Sequence, residues 1–284
     1  MSIPRIGAHV SVAGGAHRAF ENGREAGCDV VQIFSRYPTR WETPPLTVDE
    51  IGCFHEERMR CDLEVVSTHA SYLINIAASD RKLRRASLDA LTDELERARA
   101  LGIRRVVLHP GSFGNGSLEE GIKRASASVR EVMSGVRDVK LCLEVTAGQG
   151  TSIGYSLVHL REMIDRSGVP ESLGVCLDTC HLFAAGYDIS SEDGFASFIE
   201  ELESLDLLSL VEVIHVNDSK RGLGSRVDRH EHILQGEIGE KGFANILRFE
   251  RFRDVPFIIE TPKGDDPAGN DRRNIETLKR LARR

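Results

Sequence analysis

Short apolar runs recur along this chain, and the segments between them carry apolar residues at helical spacing. The runs at 5–10, 29–35, 64–67, 105–108, 140–143, 173–177, 210–214 and 257–259 are rich in Val, Ile and Leu, as parallel strands buried on both faces are. Between them, Leu88, Leu91, Leu95 and Ala98, or Leu157, Leu160 and Ile164, repeat with a period near 3.6 and predict helices. Thr47 with Glu50 and Ser117 with Glu120 have the pattern of capping boxes and mark two helix starts. Eight strands alternating with helices over 284 residues predict a (β/α)8 TIM barrel. In that fold the carboxyl ends of all the strands open into one cup, so residues far apart in sequence meet there.

Six of the runs end on or beside a side chain that binds metals: His69, His109, Glu144, Asp178, His215 and Glu260. A lone histidine at a strand end is more often a hydrogen-bonded structural residue, but repetition on six adjacent strands argues for a metal cluster in the cup. His181 follows Asp178 closely. In Asp228-Arg229-His230, alternation puts Asp228 and His230 on one side of an extended segment and turns Arg229 away. Zinc takes about four ligands and keeps a position open when catalytic. Nine groups, one of them bridging, are therefore too many for one ion and suit three. Imidazole nitrogen and carboxylate oxygen without thiolate favour Zn2+, with Mn2+ acceptable at one site.

Composition alters this picture little. With 40% hydrophobic residues the chain can bury a large core, and no Ser, Gly or Pro tract suggests a linker, so one domain over 1–284 is expected. No run approaches a membrane span and the start lacks a signal-peptide profile, which makes the cytoplasm the default location, on the nucleoid if the source is prokaryotic. The six cysteines show no C-x-x-C spacing and read as reduced and structural, Cys142 and Cys176 inside strands and Cys180 close to the site. A net charge of −7 first argues against a polyanionic partner, but three dications would bring it close to zero. The basic residues gather in two strand-to-helix loops. One, 35–47, interleaves Arg36 and Arg40 with Tyr37 and the single tryptophan, Trp41; the other, 217–241, carries Lys220, Arg221, Arg226 and Arg229. Basic and aromatic side chains together suit a phosphate backbone and an unstacked base, although a solvated face is the plainer reading. The glycines of 146–150 resemble a phosphate cradle only weakly and fit a tight turn. His17, His55 and His159 fall in predicted helices as bystanders, and His9 ends the first strand beside the site.

These motifs, IGAHVSVAGG at 6–15, QIF at 32–34, THASYLIN at 68–75, HPGS at 109–112, LEVTAGQG at 143–150, GVCLDTCHLFAAGYD at 174–188, HVNDSK at 215–220, GSRVDRHEHI at 224–233 and ETP at 260–262, run nearly end to end. They resemble the endonuclease IV family of zinc-dependent apurinic/apyrimidinic endonucleases. The resemblance implies one zinc on His69, His109 and Glu144, a second on Glu144, Asp178, His215 and Glu260, and a third on His181, Asp228 and His230. Such ions pull the pKa of water towards about 7, which makes hydroxide available for phosphodiester hydrolysis. Glu144 and Glu260 are the expected catalytic carboxylates, Glu260 by orienting the attacking water. The implied substrate is double-stranded DNA with an abasic site or a 3′-blocked end, cleaved 5′ to the lesion by a monomer to leave a 3′-hydroxyl and a 5′-deoxyribose phosphate. Tyr72 and Leu73 match positions that fill the gap left by the expelled nucleotide, whereas without the family they would read as core. Arg40, Arg226 and Arg229 are the expected phosphate contacts.

Three positions depart from the family pattern: Val145 where Asn is usual, Leu234 where Gly is usual, and Thr39 where the intercalating arginine would fall, with Arg40 displaced by one. They lead us to expect a lost polar contact, a reshaped turn and altered insertion geometry. A metal-dependent sugar isomerase or epimerase on the same barrel is the rival reading. It would need neither Asp228-Arg229-His230 nor a long basic loop. A damage-binding protein without hydrolysis is a second rival, disfavoured by a complete ligand set.

Overall fold

The computed structural model describes residues 3–283. Its strands are β1 (Ile6–His9), β2 (Val30–Phe34), β3 (Glu64–His69), β4 (Arg105–Leu108), β5 (Lys140–Glu144), β6 (Leu173–Asp178), β7 (Val211–His215), β8 (Asp218–Ser219), β9 (His230–Glu231) and β10 (Phe257–Ile259). Eight of them close a parallel barrel in the order β1-β10-β7-β6-β5-β4-β3-β2. The short strands β8 and β9 pair antiparallel inside the long loop after β7, where the apolar pattern predicts no strand. Leu210, expected to begin the seventh strand, instead ends a 3-10 turn, Leu208–Leu210, just before it. His17 precedes the first helix at its N-cap rather than lying within it. Both capping boxes form, Thr47 with Glu50 and Ser117 with Glu120, each stabilising its helix by about 1 kcal/mol. No described helix is long and apolar enough to cross a membrane.

Two apolar layers hold the barrel. The larger lies between strands and helices; the smaller is Val30, Val66, Val107, Cys142, Cys176, Val213 and Ile258, one residue from each of seven strands, packed inside the barrel. A Cβ at Gly7 would lie 1.5 Å from the Val30 carbonyl oxygen, so β1 closes against β2 only because this residue has none.

The inner layer explains where the chemistry sits. Since side chains alternate along a strand, the inward position above each inner-layer residue is two residues on: His109 after Val107, Glu144 after Cys142, Asp178 after Cys176, His215 after Val213 and Glu260 after Ile258. In β3 that rule would point Thr68 inward. A register shift intervenes, because Val31 pairs with Val65 while Gln32 pairs with Ser67. The extra residue turns Ser67 inward after Val66 and carries the change of parity on to His69.

Candidate metal centre

All nine expected ligands meet at the carboxyl ends of the strands. Glu144, wholly buried, stands in the middle. Its Oε2 lies 3.2 Å from His69 Nε2 and 3.1 Å from His109 Nε2, and its Oε1 lies 3.0 Å from His215 Nδ1. On the far side His215 Nδ1 is 3.3 Å from Glu260 Oε2 and 3.9 Å from Asp178 Oδ2. Asp178 caps the short helix Thr179–Ala185 by accepting from the His181 backbone N–H at 2.9 Å, which brings His181 back over the site. There His181 Nε2 is 3.2 Å from Asp228 Oδ2, and His230 Nε2 is 3.5 Å from Asp228 Oδ1 and 3.6 Å from Asp178 Oδ2. Arg229, between Asp228 and His230, is exposed and points away as alternation requires.

The donors fit divalent metal. His69 Nδ1 faces the Ala70 carbonyl at 2.8 Å, His181 Nδ1 the Val145 carbonyl at 3.0 Å, and His230 Nδ1 the Glu260 carbonyl at 3.2 Å. A carbonyl oxygen only accepts, so each Nδ1 carries the hydrogen and each Nε2 is a bare lone pair aimed at carboxylates. His181 Nε2 and His230 Nε2 are buried with no hydrogen-bond partner. Lone pair facing carboxylate is repulsive unless positive charge lies between. Charge balance says the same: burial opposes charge on His69, His181 and His215, yet the acidic groups around them outweigh it and raise their pKa, well above the ordinary value for the latter two. Burial likewise opposes ionisation of Glu144, Glu260 and Asp228, and the surrounding imidazoles overcome it and hold all three carboxyls below their usual range. Without ions, protons take their place. Two sets of donors close enough to share an ion are His69, His109 and Glu144, and Glu144, Asp178, His215 and Glu260; Asp178, His181 and His230 form a further set, as do Cys180, Asp228 and His230.

Around this centre stands an aromatic and basic rim. Tyr72 is 65% exposed, so it is not a core residue, and its ring centroid lies 5.9 Å from that of His69. Leu73 beside it is half-buried. The Pro38 carbonyl accepts from the Tyr72 N–H at 3.2 Å and from Ser71 Oγ at 2.8 Å, joining the loop after β3 to the loop after β2 with its exposed Tyr37 and Trp41. Arg40 lies over the Tyr37 ring at 5.2 Å and Arg226 over Tyr155 at 5.0 Å, both exposed. Arg36 departs from expectation. It is buried, paired with Asp93 and donating to the Trp41 carbonyl at 2.6 Å, and so anchors its loop instead of facing a ligand.

A family model described as a xylose isomerase-like TIM barrel matches residues 20–281. A curated relative from Chloroflexus aurantiacus, named probable endonuclease 4, is 44% identical over 281 residues, 98% of each chain. The chain belongs to the endonuclease IV family. Among solved structures, endonuclease IV from Thermus thermophilus superposes with a TM-score of 0.84 at 36% identity, covering 99% of both chains. A D-tagatose 3-epimerase-like protein reaches a TM-score of 0.72 at 18% identity over 98% of both chains, which shows a shared fold alone.

Several residues of this endonuclease IV-family site fall within the motifs, but the sequence reading gives them no role. Asn217 donates to Asp178 Oδ2 at 2.7 Å and accepts from the Glu260 N–H at 2.7 Å. Gln149, in the glycine-containing turn, accepts from the Asp228 N–H at 3.1 Å. Gln32 contacts Glu260, Ser67 and His215 at 2.8, 2.8 and 3.1 Å. A polar residue in an otherwise apolar strand was the available signal for Gln32. His9 does adjoin the site, its Nδ1 3.1 Å from Glu260 Oε1. Of the positions that depart from the family pattern, Val145 serves through its carbonyl, which any residue supplies. Leu234 has φ +66°, a conformation that favours glycine, and so is held at some strain. Cys142, Cys176 and Cys180 are buried free thiols. Burial pushes Cys176 and Cys180 up to about 12 and raises Cys142 as well, which disfavours the reactive thiolate at all three.

Proposed function

We propose that this chain is a zinc-dependent apurinic/apyrimidinic endonuclease that cuts duplex DNA 5′ to an abasic site, leaving a 3′-hydroxyl and a 5′-deoxyribose phosphate, and that it also trims 3′-blocked ends. The observation that carries this reading is the meeting of five imidazoles and four carboxylates, their free lone pairs directed into the same small volume.

His69, His109 and Glu144 would hold one ion, Glu144, Asp178, His215 and Glu260 a second, and His181, Asp228 and His230 a third, zinc at each with Mn2+ acceptable at one. When bound, such ions supply hydroxide at neutral pH and neutralise charge on phosphate oxygens and on the leaving 3′-oxygen. Glu144 serves both sides of the site because its two oxygens face different histidines. Glu260, held below the usual carboxylate range chiefly by His215 once burial is overcome, stays ionised and can orient the attacking water. Arg40, Arg226 and Arg229 stand on the exposed rim where a phosphate backbone would run. Tyr72, with Leu73 beside it, would fill the gap when an abasic nucleotide leaves the stack, a step that costs less where no base must be unstacked. The molecule acts as a monomer in this account.

The sugar-epimerase reading needs neither His181, Asp228 and His230 nor the basic rim. Incubation of the purified protein with a duplex carrying one tetrahydrofuran abasic analogue separates the two. Incision 5′ to the lesion that survives Mg2+ depletion and disappears on zinc removal is expected. Turnover of a ketose or aldose without incision would replace the nuclease account with the epimerase one.

A further inference from the structure

Gln32 lies on β2 at the inward position above Val30, completely buried, with both ends of its amide engaged. One end is 2.8 Å from Glu260 Oε1 and 3.1 Å from His9 Nδ1. An ionised carboxylate only accepts, so that end must be the NH2 group. The other end is then the carbonyl oxygen, and it faces Ser67 Oγ at 2.8 Å and His215 Nε2 at 3.1 Å. An oxygen in that position requires hydrogen on His215 Nε2. A neutral imidazole has one N–H, so His215 Nδ1 is left bare, and it is Nδ1 that faces Glu144 Oε1 at 3.0 Å and Glu260 Oε2 at 3.3 Å.

The same amide therefore sets two groups at once. It occupies Glu260 Oε1, which leaves Oε2 turned towards His215, and it fixes which nitrogen of His215 is free. His69, His181 and His230 obtain their tautomer from backbone carbonyls; of these four, only His215 takes it from a side chain. The register shift in β3 is part of the device, because it turns Ser67 inward to meet the same oxygen.

We infer that Gln32 is a positioning residue for the metal centre, presenting His215 Nδ1 and Glu260 Oε2 to one shared divalent ion. This rests on the metal-centre reading proposed above. Outer partners of metal-bound histidine typically change metal affinity by about 10- to 100-fold when lost.

The test compares wild type with Gln32→Met, which keeps volume and length but loses both polar ends, and with Gln32→Glu, which can still accept from His215 but cannot donate to Glu260. Zinc content is read by elemental analysis and zinc affinity by chelator competition, alongside thermal melting of the metal-free proteins. Expected is a loss of about 10- to 100-fold in affinity for one ion in both variants, with the remaining zinc retained and the metal-free melting temperature of Gln32→Met near wild type. Nitrogen-15 spectra of zinc-loaded wild type should show hydrogen on His215 Nε2. Unchanged zinc affinity in Gln32→Met, or hydrogen on Nδ1 in the wild type, overturns the inference; should Gln32→Met not fold, unchanged affinity in Gln32→Glu does so. Wild type that binds no zinc tightly would instead overturn the metal-centre reading, and this inference with it.

Discussion

Glu94 offers a test of whether the fold tolerates a buried charge under the loops of its rim. It sits wholly buried in the helix Arg81–Ala100 and accepts from Ser35 Oγ in one loop and from the Ser71 N–H, at 3.1 Å, in the next. Burial pushes its carboxyl up to about 7, against the pull of Ser35, Ser71 and Arg36. Because the folded value lies above the unfolded one, the stability linked to this group is complete below the ordinary glutamate range and is lost as pH rises through about 7. At about 1.4 kcal/mol per pH unit, the full loss is about 3 kcal/mol. Glutamine keeps the shape, with oxygen to accept from Ser71 and nitrogen to donate to Ser35 Oγ, and carries no charge. Glu94→Gln should therefore gain on wild type by about 2.5 kcal/mol more at pH 8 than at pH 5. In a chain of this size that separates the melting temperatures by about 5 °C. Denaturant unfolding of both metal-free proteins across that range measures it, and titrations elsewhere cancel in the difference. Parallel stability curves would refute the claim that folding forces a charge into the interior at neutral pH.

Glu144→Gln and Glu260→Gln should each lower incision of abasic duplex by at least about 100-fold with the circular dichroism spectrum unchanged, and wild-type rates in either would contradict the assigned roles. Tyr72→Ala should raise KM for abasic duplex roughly 10-fold, the scale of one lost stacking contact, while zinc content stays that of wild type; an unchanged KM removes Tyr72 from the interface. At Leu234, whose φ is +66°, the usual order of small residues should invert. Leu234→Gly and Leu234→Ala lose nearly the same packing, differing only in Cβ, but only glycine relieves the backbone, so it should be the more stable by about 1 kcal/mol in denaturant titration. Alanine the more stable would show that the turn rearranges.

The barrel and the side chains that gather at its mouth could be read from the chain because both depend on local signals. A doubly buried parallel strand must be apolar throughout, a helix on its flank must repeat near 3.6, and metal-binding groups at the strand ends are conspicuous against that background. His109, Glu144, Asp178, His215 and Glu260 follow from simple alternation above the inner layer. His69 does not. Its inward direction comes from the extra residue in β3, and a bulge is a property of two paired strands that no single strand announces. The same limit hid Arg36, which looked like a surface cation until Asp93 from another element neutralised it. It hid the amides of Gln32 and Asn217 as well, whose value lies in which partners close on them. Chemistry that belongs to one residue type was written in the sequence; orientation, tautomer and burial of charge belong to pairs of residues distant along the chain, and only the closed barrel decided them.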